Sequence, residues 1–165
     1  MRYFQSIPKV LALSIGVLLL AGCRGEVSAA ESSIKHTESV GVAATATASS
    51  FDEPAFSVSL SKSGTYSAGN SGILMLELQA KAPHHVNQEY PHKFKLKPVD
   101  GISFPNPTLA RDAMTVQPMA IVLRVPLKPM HKGAFKVEGE FAFSLCTADR
   151  CLIEKRSLVA EIEAQ

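Results

Sequence analysis

Cys146 and Cys151 are the residues of this chain best placed to do chemistry, with Thr147, Ala148, Asp149 and Arg150 between them. Two thiols held together can close a disulfide, exchange it with another thiol pair, or bind a soft metal. The flanking residues say what holds them. Phe135, Val137, Phe141, Phe143 and Leu145 alternate with polar or small residues before the first cysteine, as in a strand with one apolar face. Leu152, Ile153, Leu158, Ala160 and Ile162 follow the second and read as the returning strand. Four residues are a common length for a hairpin connection, and such a hairpin sets the cysteines side by side.

Strand parity then assigns faces. Lys136, Glu138, Glu140, Ala142, Ser144 and Cys146 share the face opposite the phenylalanines, so Cys146 is expected among small side chains outside the core. Simple pairing would set Phe141 opposite Arg156 and Phe143 opposite Glu154, so a bulge or bend is expected at Glu154–Arg156. Closing so short a ring removes only about 2 kcal/mol of unfolded-chain entropy, and the hairpin holds the two residues close in any case. Arg150 beside Cys151 favours a thiolate and Asp149 opposes it. A structural staple, a redox-active pair and metal binding all remain open on these residues alone.

The N-terminal stretch bears on the redox compartment. Arg2 and Lys9 flank an apolar run, Val10 to Leu20, that is too short to span a bilayer as a helix but suits the core of a signal peptide. It ends in Leu20-Ala21-Gly22-Cys23, which resembles the lipobox of bacterial lipoproteins. That resemblance implies cleavage before Cys23, lipid on its thiol, and a mature protein anchored in the cell envelope and facing the periplasm. Two or three acyl chains suffice for stable anchoring. Arg24 after the cysteine, rather than Asp, resembles outer-membrane-sorted lipoproteins, which implies the outer membrane over the inner. An exported pair of neighbouring cysteines is expected to be oxidised.

Residues 23–52 follow as a lipidated cysteine and a linker rich in Ser, Ala, Thr and Glu, too poor in large apolar residues to offset its chain entropy. Residues 53–165 carry the domain. Its period is two throughout: Phe56, Val58 and Leu60; Leu74, Leu76, Leu78 and Ala80; Phe94 and Leu96; Ile102 and Phe104; Ile121, Leu123, Val125 and Leu127. Seven prolines between His84 and Lys132 exclude a long helix there. Seven or eight short strands with turn residues between them predict an all-β, antiparallel, immunoglobulin-like sandwich. Charge excludes one large class of partner. Of the 17 lysines and arginines only Arg2 and Lys9 precede Cys23, and all 15 acidic residues follow it. The mature side chains are therefore balanced, unlike a nucleic-acid-binding surface.

The run FSLCTADRCLIEKRSLVAEI, with KAPHHVNQEYPHKFKLKP earlier, resembles the N-terminal periplasmic domain of the thiol:disulfide interchange protein DsbD. The likeness covers most of residues 51–165. It implies an immunoglobulin-like sandwich whose close cysteine pair, here Cys146 and Cys151, passes electrons to thioredoxin-fold partners by thiol–disulfide exchange. It also implies that the segment carrying His84, His85, Asn87, Tyr90 and His92 enters a strand facing the cysteine hairpin. There His84 and His85, like Arg150, would modulate thiol acidity; a solvated strand edge is the plainer reading.

Two other classes stay in view. One is a lipid-anchored binding or scaffold domain with a structural disulfide. The other is a periplasmic copper protein using the same histidines with His131, Met114, Met119 and Met130, although no Met-x-x-Met or His-x-His motif is present and methionine commonly fills cores. Neither G-x-S-x-G nor H-E-x-x-H occurs, which argues against a hydrolase, and no cofactor motif is found. The lipobox reading predicts that Cys23→Ser abolishes incorporation of labelled palmitate and moves the protein from the membrane pellet to the soluble fraction; unchanged labelling would refute it.

Overall fold

Alternating apolar and polar residues form strands because successive side chains point to opposite faces, so one face is buried while the other meets solvent. In a computed structural model that describes residues 47–165, this pattern builds a β-sandwich. The expected signal segment, the lipidation candidate Cys23 and the expected linker as far as residue 46 lie outside the described residues.

The strands are β1 (Thr47–Ala48), β2 (Ser50–Asp52), β3 (Phe56–Lys62), β4 (Gly72–Ala80), β5 (His85–Val86), β6 (Lys93–Leu96), β7 (Ile102–Ser103), β8 (Thr108–Ala110), β9 (Met114–Val116), β10 (Ala120–Pro129), β11 (Gly133–Cys146) and β12 (Cys151–Ala164). One sheet has the order β1-β12-β11-β6-β8, with β5 also on β11. The other runs β2-β3-β4-β10-β7, with β9 also on β10. All pairings are antiparallel except that of β1 with β12. Among the described residues no helix is long and apolar enough to cross a membrane.

The core is a set of cross-strand ladders. Leu60, Leu76 and Leu123 stand opposite one another on β3, β4 and β10, as do Val58, Leu78 and Ile121, and all six are buried. Each such side chain contributes about 1.5–3 kcal/mol by leaving water. The first sheet answers with Phe94, Phe141 and Phe143. Phe143 meets Phe56 of the other sheet edge-on at 4.9 Å and stacks on Phe141 at 5.0 Å, geometries that add to simple burial. Gly139 on β11 makes room for Phe94, since a Cβ there would lie 2.7 Å from the ring's Cε2 and 3.0 Å from the Lys95 carbonyl oxygen.

Two sequence expectations need correction. The fold begins before residue 53: β1 lies on β12, β2 lies on β3, and the Leu60 amide donates to the Ser49 carbonyl at 2.9 Å. Thr47 to Asp52 thus crosses from one sheet edge to the other, held by backbone hydrogen bonds that composition does not reveal.

The bulge expected at Glu154–Arg156 is absent too. β11 and β12 pair without interruption from Gly133 and Ala164 to Cys146 and Cys151, with Phe141 opposite Arg156 and Phe143 opposite Glu154. The charges are accommodated at the rim of the sandwich. The Arg156 guanidinium lies 5.3 Å from the Phe56 ring centre and 5.6 Å from that of Phe51, and 2.7 Å from the Glu154 carboxylate. A cation over a ring face is attracted to it, so Arg156 caps the aromatic cluster instead of distorting the strand.

Phe143→Ala should therefore lower unfolding stability by about 3–5 kcal/mol, whereas truncation of the exposed Ile153 on the same hairpin should stay within about 0.5 kcal/mol. Denaturant titration of both variants checks this.

Candidate functional site

The hairpin between β11 and β12 is closed at its tip by backbone and side chain together. The Thr147 amide donates to the Arg150 carbonyl at 2.8 Å, and the Thr147 hydroxyl oxygen accepts from the amides of Asp149 and Arg150, each at 3.3 Å. A threonine that folds its own turn in this way fixes the loop locally. Directly below the tip, Cys146 and Cys151 are joined by a disulfide, with their Cα atoms 3.9 Å apart.

Parity holds along β11: the phenylalanines face the core, and Ala142, Ser144 and Cys146 face away. This outer face is nevertheless covered at the disulfide end. Ala142 and Ser144 are buried, and Cys146 is only 8% exposed. The expected small neighbours are present, but the face is not open to water. The cover is the chain from β5 to β6. β5 pairs Val86 with Leu145 and His85 with Cys146, and the Asn87 amide donates to the Ser144 carbonyl at 3.0 Å. Glu89 to His92 then line a groove with Glu140, Ala142 and Lys155.

Cys151, across the bond, is exposed. Ile153, opposite Ser144 on the same face, is 68% exposed. The disulfide therefore joins one sheltered residue, Cys146, to one exposed residue, Cys151, with an apolar side chain beside it. Ile153 was not singled out from the sequence. Its shared parity with Cys151 is the signal the sequence carries, masked by the adjacent apolar Leu152.

The histidine cluster divides. His85 is exposed and stands opposite Cys146. His84 is half-buried, and its Nδ1 has no hydrogen-bond partner. His92 is fully buried; its Nε2–H donates to the Asn87 carbonyl at 2.8 Å, and Tyr90 stands against it edge-on at 5.3 Å. Burial holds the His92 pKa below the ordinary 6.5; the bond to the Asn87 carbonyl works the other way, and the charge of Arg111 lowers it further. His92 thus serves as a neutral pin for the covering loop. Arg150 is exposed at the tip, next to Cys151.

The residues weighed for copper do not converge. Met119 precedes β10 and Met130 follows it, so the ten residues of that strand separate them. His131 lies in the turn before β11, at the end of that strand remote from Cys146. Among the described residues no group of three or more His, Cys, Asp or Glu is arranged to hold a metal ion. No protein-family model matches this chain, and no curated protein matches it.

The buried, neutral His92 makes stability depend on pH. Its folded pKa lies below the unfolded value, so the unfolded chain takes up the proton first and acidification favours unfolding. The stabilisation is complete above the ordinary histidine value and is lost as pH falls through it, with a slope of at most about 1.4 kcal/mol per pH unit. Denaturant titrations across this range should show a shallower acid limb for His92→Gln than for the parent protein. Equal slopes would refute the assignment.

Proposed function

We propose that this protein is a membrane-tethered thiol–disulfide exchange domain that works through Cys146 and Cys151. The observation that carries the reading is the asymmetry of the disulfide: Cys146 is sheltered under the β5–β6 segment, while Cys151 stands exposed beside the exposed Ile153. In exchange an incoming thiolate attacks one sulfur in line with the bond, and access selects which one. Here it would attack Cys151 Sγ. The S–S bond breaks, its electron pair passes to Cys146 Sγ, and a mixed disulfide joins Cys151 to the partner. A second thiolate of the partner then attacks the partner's own sulfur in that bond and releases Cys151 as a thiolate. The partner is oxidised and the domain reduced; the reverse sequence returns the electrons.

Stability supplies little reason for the bond. The ring it closes is worth about 2 kcal/mol at most, and the tip is already held by Thr147. This weighs against a staple in a non-catalytic scaffold, the second reading.

The likeness to the DsbD N-terminal domain supports the same assignment and suggests thioredoxin-fold partners. The lipobox-like sequence ending in Cys23 suggests that the domain works on the periplasmic side of an envelope membrane, the outer in preference to the inner.

Equilibration of the full chain against glutathione buffers tests the proposal. A reduction potential above about −300 mV is expected for an exchange disulfide, and one well below it marks a structural bond. Cys146→Ser, which leaves the exposed Cys151, should form a mixed disulfide with a thioredoxin-fold domain activated by an aromatic thiol leaving group, and Cys151→Ser should do so far more slowly. A potential below that limit with no mixed disulfide would overturn the exchange reading in favour of the scaffold.

A further inference from the structure

The row of side chains across the sheet end holds three chemically active residues. His85 on β5, Cys146 on β11 and Cys151 on β12 occupy directly opposed positions. Opposed residues of antiparallel strands point to the same face, with Cβ atoms about 5 Å apart. Cys146 therefore has its disulfide partner on one side and an imidazole on the other. Among the described residues the histidine rings that form hydrogen bonds are those of His92 and His131, so the His85 ring is free to turn toward the sulfur.

We propose that His85 is the acid–base group for Cys146 in the exchange reaction; this rests on the exchange reading above. When the incoming thiolate bonds to Cys151 Sγ and the S–S bond breaks, the electron pair collects on Cys146 Sγ, a sulfur sheltered from water. The His85 imidazolium donates a hydrogen bond or its proton to that sulfur and becomes neutral as the thiol forms. In the oxidising direction neutral His85 takes the proton from the Cys146 thiol, and the thiolate attacks Cys151 Sγ of the mixed disulfide, expelling the partner's thiolate.

A poorly solvated thiolate is a poor leaving group, and a neighbouring cation lowers its basicity. The other charged or titratable groups on the neighbouring segments are His84 and Glu89 on the His85 segment, Arg111, which bonds the Gln88 carbonyl, Asp149 and Arg150 at the hairpin tip, and Lys81. The Lys81 ammonium is already committed to the Asp52 carboxylate and to the Glu53 carbonyl at 2.9 Å. On the far side of β5, the Val86 amide donates to Pro118, and the chain from Gln117 to Met119 brings no charge.

The test is reduction of the disulfide in the full chain by dithiothreitol, with each rate divided by the dithiothreitol thiolate concentration. The corrected constant should be higher at low pH and fall in a step between about pH 5 and 8, where histidines lose charge. His85→Gln should remove the step and slow the low-pH reaction by roughly five- to tenfold. His85→Lys should keep the fast rate through the whole range, and His84→Gln should leave the step in place. Thermal melts of the oxidised variants should be unchanged, which separates the role from a structural one.

A second measurement does not depend on exchange being the function. In Cys151→Ser, the thiolate fraction of Cys146 at neutral pH, read by ultraviolet absorbance, should fall roughly tenfold when His85→Gln is added. An unaltered step in His85→Gln, or an unaltered thiolate fraction, would overturn the role of His85. A potential in the structural range with the fraction still sensitive to His85 would keep the pairing and reject the exchange reading.

Discussion

The pairing of β11 with β12 runs through fourteen opposed residues without a slip, and the rest of the molecule depends on that register. A shift of one residue would send every side chain of a strand to the wrong face. Held as it is, the register aims Phe135, Val137, Phe141, Phe143 and Leu145 into the core and keeps Cys146 and Cys151 together on the outer face. Core packing and disulfide geometry are thus one constraint expressed on two faces. Arg156 and Glu154 make the register tolerable at its weakest point, where charges stand opposite phenylalanines. Their mutual ion pair and the cation over Phe51 and Phe56 let the pairing continue without interruption.

A disulfide at the end of a solvent-facing sheet would expose both sulfurs alike. What breaks the symmetry is the crossing from β5 to β6, which pairs with the end of β11 and then folds back along its outer face. The crossing is secured by backbone bonds to β11, by the buried His92 on the Asn87 carbonyl, and by the Arg111 guanidinium, whose Nε donates to the Gln88 carbonyl at 2.8 Å. The Ser144 hydroxyl is buried beneath it, with no protein group in hydrogen-bond reach.

The long strands β3, β4, β6, β10, β11 and β12 are legible in the sequence because each carries at least two apolar residues in alternation; the short β7 is marked by Ile102 with Phe104 just beyond it. β1, β2, β5, β8 and β9 have two or three residues each, too few for a period to appear, and of these only β5 is expected, through the resemblance that sets the His84–His92 segment against the cysteine hairpin. They exist because a longer neighbour offers unpaired backbone groups. Composition assigns Thr47 to Asp52 to the linker for that reason, since its small side chains contribute little burial and its order comes from the edges of β12 and β3. Side-chain pairing alone predicts a bulge at Glu154–Arg156, because the pairing does not show the aromatic rings of the opposite sheet that receive the guanidinium.

Local pattern alone determined the all-β class, the four-residue connection, the adjacency of the two cysteines and the face that Cys146 occupies. These follow from the two-residue period of an extended chain and from a loop too short to allow much else. Only the tertiary structure decided that Cys146 is sheltered and Cys151 exposed, that His85 stands opposite Cys146 while His92 is buried as a pin, and that Met119 and Met130 lie at opposite ends of a strand. Those outcomes join residues far apart in sequence, such as His85 and Cys146, and burial there depends on which segment covers which face. The direction in which a strand residue points is a property of its own backbone, whereas what it meets there is a property of the whole fold.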